Sequence, residues 1–473
     1  MATGGRGRAG SLKVGLAMAS LVLSLLLWLN GLLESLDRPS VGDDLSRRQL
    51  ELSVLAAPAV PPSLRPLLVG VDPGALLLAE LDLQAEESGD STTAPGTAQA
   101  GGEREARISL LERALLQLRQ GQPDAARPLL LQLQRLVANE DRPLIEQLLL
   151  LPQGGSRPVE AVGMLQDPLV RRLSCEVLGD MASECSEPAA ERRALLQLLG
   201  INLLPAVALL AGLALLLREG WLRWRGKQAP LPALVGPDLG VIDVVLLIAG
   251  GFVLLGEVLT PVLLGPLLQA TLSALAIKPP LADGLTVLTM YLGLMAAPLL
   301  MLVILLRSGG EAPESGWLQF RWRPLGSALR KSVKYLLIVL PLVSLVGWLQ
   351  QHFWIDVGGS NPLLELVLRS GNGLTLACFA FTAIVLAPLF EETIFRGVLL
   401  PVVGREIGPL PAVLISSAVF GIAHLSLGEF PPLFTLGLGL GWLRLSSGRL
   451  STCVGLHALW NGLTFTNLLL LAR

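Results

Sequence analysis

The chain reads as an all-α, polytopic transmembrane bundle of about nine spans, with a mostly helical extracytoplasmic insertion after the first span. Three observations predict this. Of 473 residues, 52% are hydrophobic and only 16% charged, well outside the averages of soluble domains. The mean hydropathy is +0.61. The charges gather in short segments between apolar runs of about 20 residues, the length a helix needs to cross a hydrocarbon core roughly 30 Å thick.

The runs fall at about 14–33, 198–217, 241–264, 285–306, 335–354, 374–403, 410–427, 432–445 and 453–471. The sixth is long and the eighth short, which predicts tilt or a kink at Pro388. Arg6, Arg8 and Lys13 precede the first run and put the N-terminus in the cytoplasm by the positive-inside rule. The same parity places Arg218, Arg223, Arg225 and Lys227 inside. It does so too for Arg307, Arg321, Arg323, Arg330, Lys331 and Lys334, and for Arg405, Arg444 and Arg449. The opposite connections between the later runs are poor in positive charge, with Lys278, then Asp356, Glu365 and Arg369, then Glu429. The first run is too long for a signal peptide and lacks a clean small-residue cleavage site, so it is expected to stay as an anchor. Trp317, Phe320 and Trp322, interleaved with Arg321 and Arg323, read as an interfacial anchor.

Four segments follow: an N-terminus with its anchor (1–33), an extracytoplasmic domain (34–197), membrane helices two to five (198–373) and a C-terminal membrane core (374–473). Within the second, 86–105 is rich in Ser, Gly, Thr and charge and reads as a flexible linker. Apolar residues at Ile108, Leu111, Leu115 and Leu118 predict a helix stopped by Gly121. A second helix is expected from an Asp124 N-cap to Ala138, burying Leu129, Leu133, Leu136 and Val137. The pair makes a helical hairpin faintly like one tetratricopeptide unit, but one unit cannot stack, so a small helical domain is the expectation. The four cysteines, Cys175, Cys185, Cys378 and Cys453, lack metal-binding spacing. Cys175 and Cys185 can pair outside the cytoplasm, but free thiols are the favoured reading. A net charge of −2 with clustered charges gives no basis for a nucleic-acid partner.

Ionisable groups inside spans cost free energy and mark function or a buried pair. They concentrate in the last four runs: Glu391, Glu392 and Arg396 in the sixth, His424 in the seventh, and His457 with Asn461 in the ninth. Only one other histidine exists, His352. Glu392 and Arg396, Phe420 and His424, and His457 and Asn461 each stand four residues apart, so each pair shares a helix face. Counted from the expected cytoplasmic ends, Glu391 and His424 lie roughly 20 Å deep and His457 about 10 Å at 1.5 Å per residue. A common plane therefore requires a tilted or deeper-starting ninth helix. Glu257 in the third run has no partner visible in sequence and is left out of the set. Trp460 and Phe395 read as packing.

The order Glu-Glu-x-x-x-Arg, Phe-x-x-x-His and His-x-x-x-Asn on successive membrane helices resembles the type II CaaX prenyl endopeptidases and their prokaryotic relatives, the Abi or CPBP (CaaX protease and bacteriocin-processing) proteins. Every motif position is met, as Glu391, Glu392 and Arg396, then Phe420 and His424, then His457 and Asn461. The likeness covers about 374–471 and says nothing of 34–197. It implies an intramembrane endopeptidase in which Glu391 is the base on a water, with His424 as a second group on it. His457 and Asn461 would stabilise the oxyanion, while Glu392 and Arg396 orient Glu391, supported by Phe420. No cofactor is favoured; zinc on Glu391, His424 and His457 is the alternative, although HExxH is absent. The expected partners are membrane-associated proteins or peptides and membrane lipid. A non-catalytic scaffold or immunity protein on the same fold is the second reading, and a proton-coupled transporter the third, without the inverted repeat such proteins show. Arginine outnumbers lysine 31 to 5, which suggests a GC-rich genome and a bacterial cell membrane.

Overall fold

The computed structural model describes residues 4–37, 41–90, 100–137, 141–150, 166–178, 187–227, 230–307, 311–353, 366–368 and 370–471, all helix, turn or irregular backbone without a strand. The centre of the expected linker (91–99), Cys185, Asp356, Glu365 and Arg369 lie outside the described residues. The chain divides into two compact units, one of Gly42–Leu204 and one of Met1–Val41 with Pro205–Arg473.

The helices in chain order are α1 (Gly4–Glu34), α2 (Val41–Ala56), α3 (Arg65–Leu68), α4 (Pro73–Asp90), α5 (Ala100–Arg119), α6 (Pro123–Leu136), α7 (Arg142–Leu150), α8 (Pro168–Leu178) and α9 (Pro188–Trp224). They continue with α10 (Val241–Ala274), α11 (Leu281–Arg307), α12 (Leu325–Phe353) and α13 (Gly373–Ile407). The last three are α14 (Pro409–Ile422), α15 (Phe430–Ser447) and α16 (Leu450–Leu471).

Among the described residues, seven helices are long and apolar enough to cross a membrane: α9 to α13, α16 and α1 from Ser11. This is an integral, multi-pass membrane protein. The seventh and eighth expected runs form α14 and α15, of 14 and 18 residues. At 1.5 Å per residue α14 extends only about 21 Å. The irregularity expected near Pro388 takes the form of π-helical turns, Thr382–Leu386 and Thr393–Leu399, on either side of Ala387–Glu392. Such turns widen a helix and leave backbone groups to be satisfied from outside it.

In the smaller unit, α4 to α8 enclose a core that includes Leu77, Leu111, Leu115, Leu130, Leu133, Ile145 and Leu173. The expected hairpin is α5 and α6, and Gly121, at φ +73°, ends the first helix in a left-handed turn that glycine adopts without steric cost. Two details differ. The second helix starts at Pro123 with Gln122 at the N-cap, because proline at the first helical position has its φ already set and no N–H to lose. Its buried face is Ala126, Leu130 and Leu133, so Leu129 is only partly buried and Leu136 is 49% exposed. The supposed linker is helical at both ends, as α4 reaches Asp90 and α5 begins at Ala100. Cys175 is disulfide-bonded, which corrects the expectation of a free thiol there.

A hydrophobic core of the membrane unit lies around α13. Phe390, Ile394, Phe395 and Val398 of that helix pack with Trp28, Phe252 and Phe420. Helices α14 and α15 approach closely because a Cβ on Gly437 would stand 2.9 Å from Ser417 Cβ, the small-residue contact that lets apolar helices associate in lipid. Several arginines expected only as topology signals hold loops. Arg321 donates to the Gly448 carbonyl at 2.9 Å and Arg405 to that of Leu239 at 2.6 Å. The loop before α12 covers the start of α16: Leu450 N donates to Gln319 O at 3.1 Å, and Leu450, Ser451 and Thr452 are buried. The ninth expected span thus begins under this loop. Trp322 is exposed and Trp317 and Phe320 are half-buried.

Candidate active site

Glu392 and Arg396 form the internal ion pair that their spacing predicts, at 3.0 Å with both side chains fully buried. Two bare charges in such surroundings would cost several kcal/mol each, and further contacts offset this. Arg396 Nη2 donates to the Gly437 carbonyl at 3.2 Å, and its guanidinium lies 4.4 Å above the Phe420 ring in cation–π contact. On the other side, Glu392 Oε1 takes a 2.9 Å hydrogen bond from His457 Nδ1. This hydrogen bond of Glu392 is thus to His457, not to Glu391 itself. A carboxylate cannot donate, so Nδ1 carries the proton and Nε2 is the atom turned to Glu391. Nε2 stands 3.9 Å from Glu391 Oε2.

Glu391 is held asymmetrically. Tyr291 on α11 donates its hydroxyl to Oε1 at 3.2 Å, while Oε2 has no hydrogen-bond partner. The 3.9 Å between Oε2 and His457 Nε2 is too long for a direct hydrogen bond and fits one oxygen atom bridging the two groups at about 2.8 Å each.

His424 follows α14 and donates Nδ1–H to the Phe420 carbonyl at 2.8 Å, the i to i−4 geometry its spacing foretold. Phe420 therefore acts twice. Its carbonyl sets the His424 tautomer, and its ring stands edge-on to both His424 and His457, at 5.0 and 5.6 Å.

Asn461 has a use that sequence does not reveal. Its Nδ2 donates to the Ala383 carbonyl at 2.7 Å. In the π-helical turn Ala387 N bonds to Thr382 O, so the next donor in register would be residue 388, a proline without an N–H. Asn461 fills that vacancy from α16. The same arrangement recurs one π turn later: Leu400 N bonds to Phe395 O, Pro401 offers no donor for Arg396 O, and Arg444 Nε supplies it at 3.2 Å. Arg444 is fully buried and also donates to Val235 O at 2.7 Å.

Glu391, His424, His457 and Asn461 line one mainly apolar cavity of about 730 Å³, together with Tyr291, Glu257 and Glu429. Glu257, set aside in the sequence, accepts a 3.1 Å hydrogen bond from the Trp28 indole of α1. Tyr291 was missed altogether. One signal pointed to it: the chain has only two tyrosines, and this one sits inside an apolar span. Among the described residues no group of three His, Cys, Asp or Glu side chains lies close enough together to hold a metal ion.

Two segments match known families. Residues 373–463 match the family described as type II CAAX prenyl endopeptidase Rce1-like, and residues 42–196 match a domain of unknown function, DUF8675. No curated protein and no solved structure matches the chain.

Proposed function

We propose, from a C-terminal segment that matches the family described as type II CAAX prenyl endopeptidase Rce1-like, that the protein is an intramembrane endopeptidase that hydrolyses peptide bonds of membrane-associated proteins or peptides through a Glu391-activated water. The observation that carries this is the unpartnered Glu391 Oε2, 3.9 Å from His457 Nε2, on the wall of an apolar cavity. A carboxylate oxygen left free in a protein core is costly unless it has a ligand to act on.

In the proposed reaction Glu391 Oε2 takes a proton from the water as its oxygen attacks the scissile carbonyl. His457, with Nδ1–H committed to Glu392, presents Nε2 to the developing oxyanion and donates there when protonated. His424 Nε2 is the second group on the water. Asn461 keeps one amide N–H beyond the one given to Ala383. Collapse of the tetrahedral intermediate breaks the C–N bond, and the proton held by Glu391 passes to the leaving amine. Every step uses side chains of this chain, and the proposal involves no metal.

The N-terminus is assigned to the cytoplasm and 34–197 to the outside of a bacterial cell membrane. The disulfide at Cys175 supports this, because disulfides persist in oxidising compartments.

The test compares the membrane proteomes of cells carrying wild-type protein and Glu391→Gln, followed by cleavage of the accumulated candidates by purified protein in proteoliposomes. Cleavage by the wild type alone supports the reading. Cleavage by neither would favour a non-catalytic scaffold on the same fold, and equal cleavage by both would remove Glu391 from the role of base. Activity lost to a chelator and restored by zinc would replace the water-only mechanism while keeping the site.

A further inference from the structure

We infer that Tyr291 is a positioning residue for Glu391, contributed by a helix that lies outside the matched family segment; the inference rests on the role proposed for Glu391. The two residues are 100 positions apart in sequence and meet through a 3.2 Å hydrogen bond from the phenol to Oε1. The tyrosine ring is itself fixed, standing edge-on to Phe390 at 6.4 Å and 90°. Phe390 directly precedes Glu391, so one helix holds both the ring beside the base and one oxygen of the base.

The chemistry of the span supports a purpose for the hydroxyl. Tyr291 lies ten residues into the 27-residue helix α11, about 15 Å along it, where a phenylalanine would fill the same space without a polar atom needing a partner. The hydroxyl finds that partner in Glu391. With Oε1 engaged, the carboxylate cannot rotate freely, and Oε2 is left as the oxygen turned toward His457. The other ionisable groups around Glu391 are His457, backed by Glu392 and Arg396, and His424, Glu257 and Glu429 on the cavity wall. The hydrogen bond to Oε1 comes from Tyr291. The base is therefore built by α11 and α13 together, and residues 373–463 alone lack the group that aims it.

Tyr291→Phe in the full-length protein tests this, because it keeps the ring and removes only the donor. In proteoliposomes, with a membrane-peptide substrate that the wild type cleaves, kcat is expected to fall about 10-fold or more, while KM stays within about twofold. The acidic limb of the pH–rate profile moves to higher pH, since an ionised carboxylate that loses a hydrogen bond is less favoured. A readout independent of proteolysis is modification by dicyclohexylcarbodiimide, which attacks protonated carboxyl groups in membranes, with Glu391 quantified by fragment mass spectrometry. The pH of half-modification should rise in Tyr291→Phe. Tyr335→Phe, which removes a hydroxyl bonded to Ser446, should leave the labelling unchanged. A Glu391 labelling profile identical in wild type and Tyr291→Phe overturns the inference whatever the activity. Absence of any proteolysis by the wild type instead overturns the protease reading, and the base role of Glu391 with it.

Discussion

Asn461 offers the sharpest test of the site, because its geometry and its expected role disagree. As a pure oxyanion donor, its loss should cost on the order of 10²–10³ in rate and little stability. The structure gives it a second task. Its Nδ2 holds the Ala383 carbonyl at 2.7 Å, which Pro388 leaves without a backbone donor. Hydrogen bonds between membrane helices average only about 0.6 kcal/mol, since groups freed by mutation usually find other partners. Here the alternative is blocked by proline, so Asn461→Ala should cost nearer the price of an orphaned acceptor, about 1–2 kcal/mol. Pro388→Ala creates an N–H at the position where the π turn can use it. In the Asn461→Ala/Pro388→Ala double variant, roughly 1 kcal/mol of stability should return, beyond the ~0.3–0.5 kcal/mol within which independent sites add. Reversible unfolding in bicelles measures the cycle, and kcat is measured on the same four proteins. Strict additivity of the stabilities, with a rate loss untouched by Pro388→Ala, would refute the reasoning and leave Asn461 as an oxyanion donor alone.

Glu391→Gln keeps the size of the base and the Tyr291 contact, so turnover should vanish while thermal stability stays within about 0.5 kcal/mol; a loss of fold would show that Glu391 is structural. Glu392→Gln should be far more harmful to stability, by about 3–5 kcal/mol, because it leaves Arg396 as a buried unpaired charge. Equal melting temperatures for the two glutamine variants would contradict the buried pair. Arg396→Lys retains the charge but cannot reach both Glu392 and Gly437, so it should fold with reduced stability and keep part of its activity; a well-folded variant as inactive as Glu391→Gln would move Arg396 into the catalytic set. A cysteine at exposed Gln120 should react with membrane-impermeant maleimide in intact cells, and protection there until lysis would reverse the assigned orientation.

Much of the architecture was legible without coordinates because it depends on local rules. Apolar length identifies helices long enough to span a membrane, and 3.6-residue periodicity sets the pairs Glu392–Arg396 and Phe420–His424 on their helix faces, where the structure has them in contact. The expected positions in 108–118 and at Gly121 also follow from short-range constraints. The expected Asp124 N-cap falls two residues past the observed one at Gln122, because Pro123 takes the first helical position, and Leu136 lies off the face that buries Ala126, Leu130 and Leu133. Tertiary structure alone decided which residues meet across helices: His457 with Glu392, Tyr291 with Glu391, Trp28 with Glu257 and Asn461 with Ala383. The depth of His457 likewise could not be counted from Leu450, since a loop buries the start of that helix. The physical reason is common to all of these. Spacing along a chain determines which face of its own helix a side chain occupies, whereas the partner it meets depends on helix rotation, depth and close approach, and those are fixed only when the whole bundle packs.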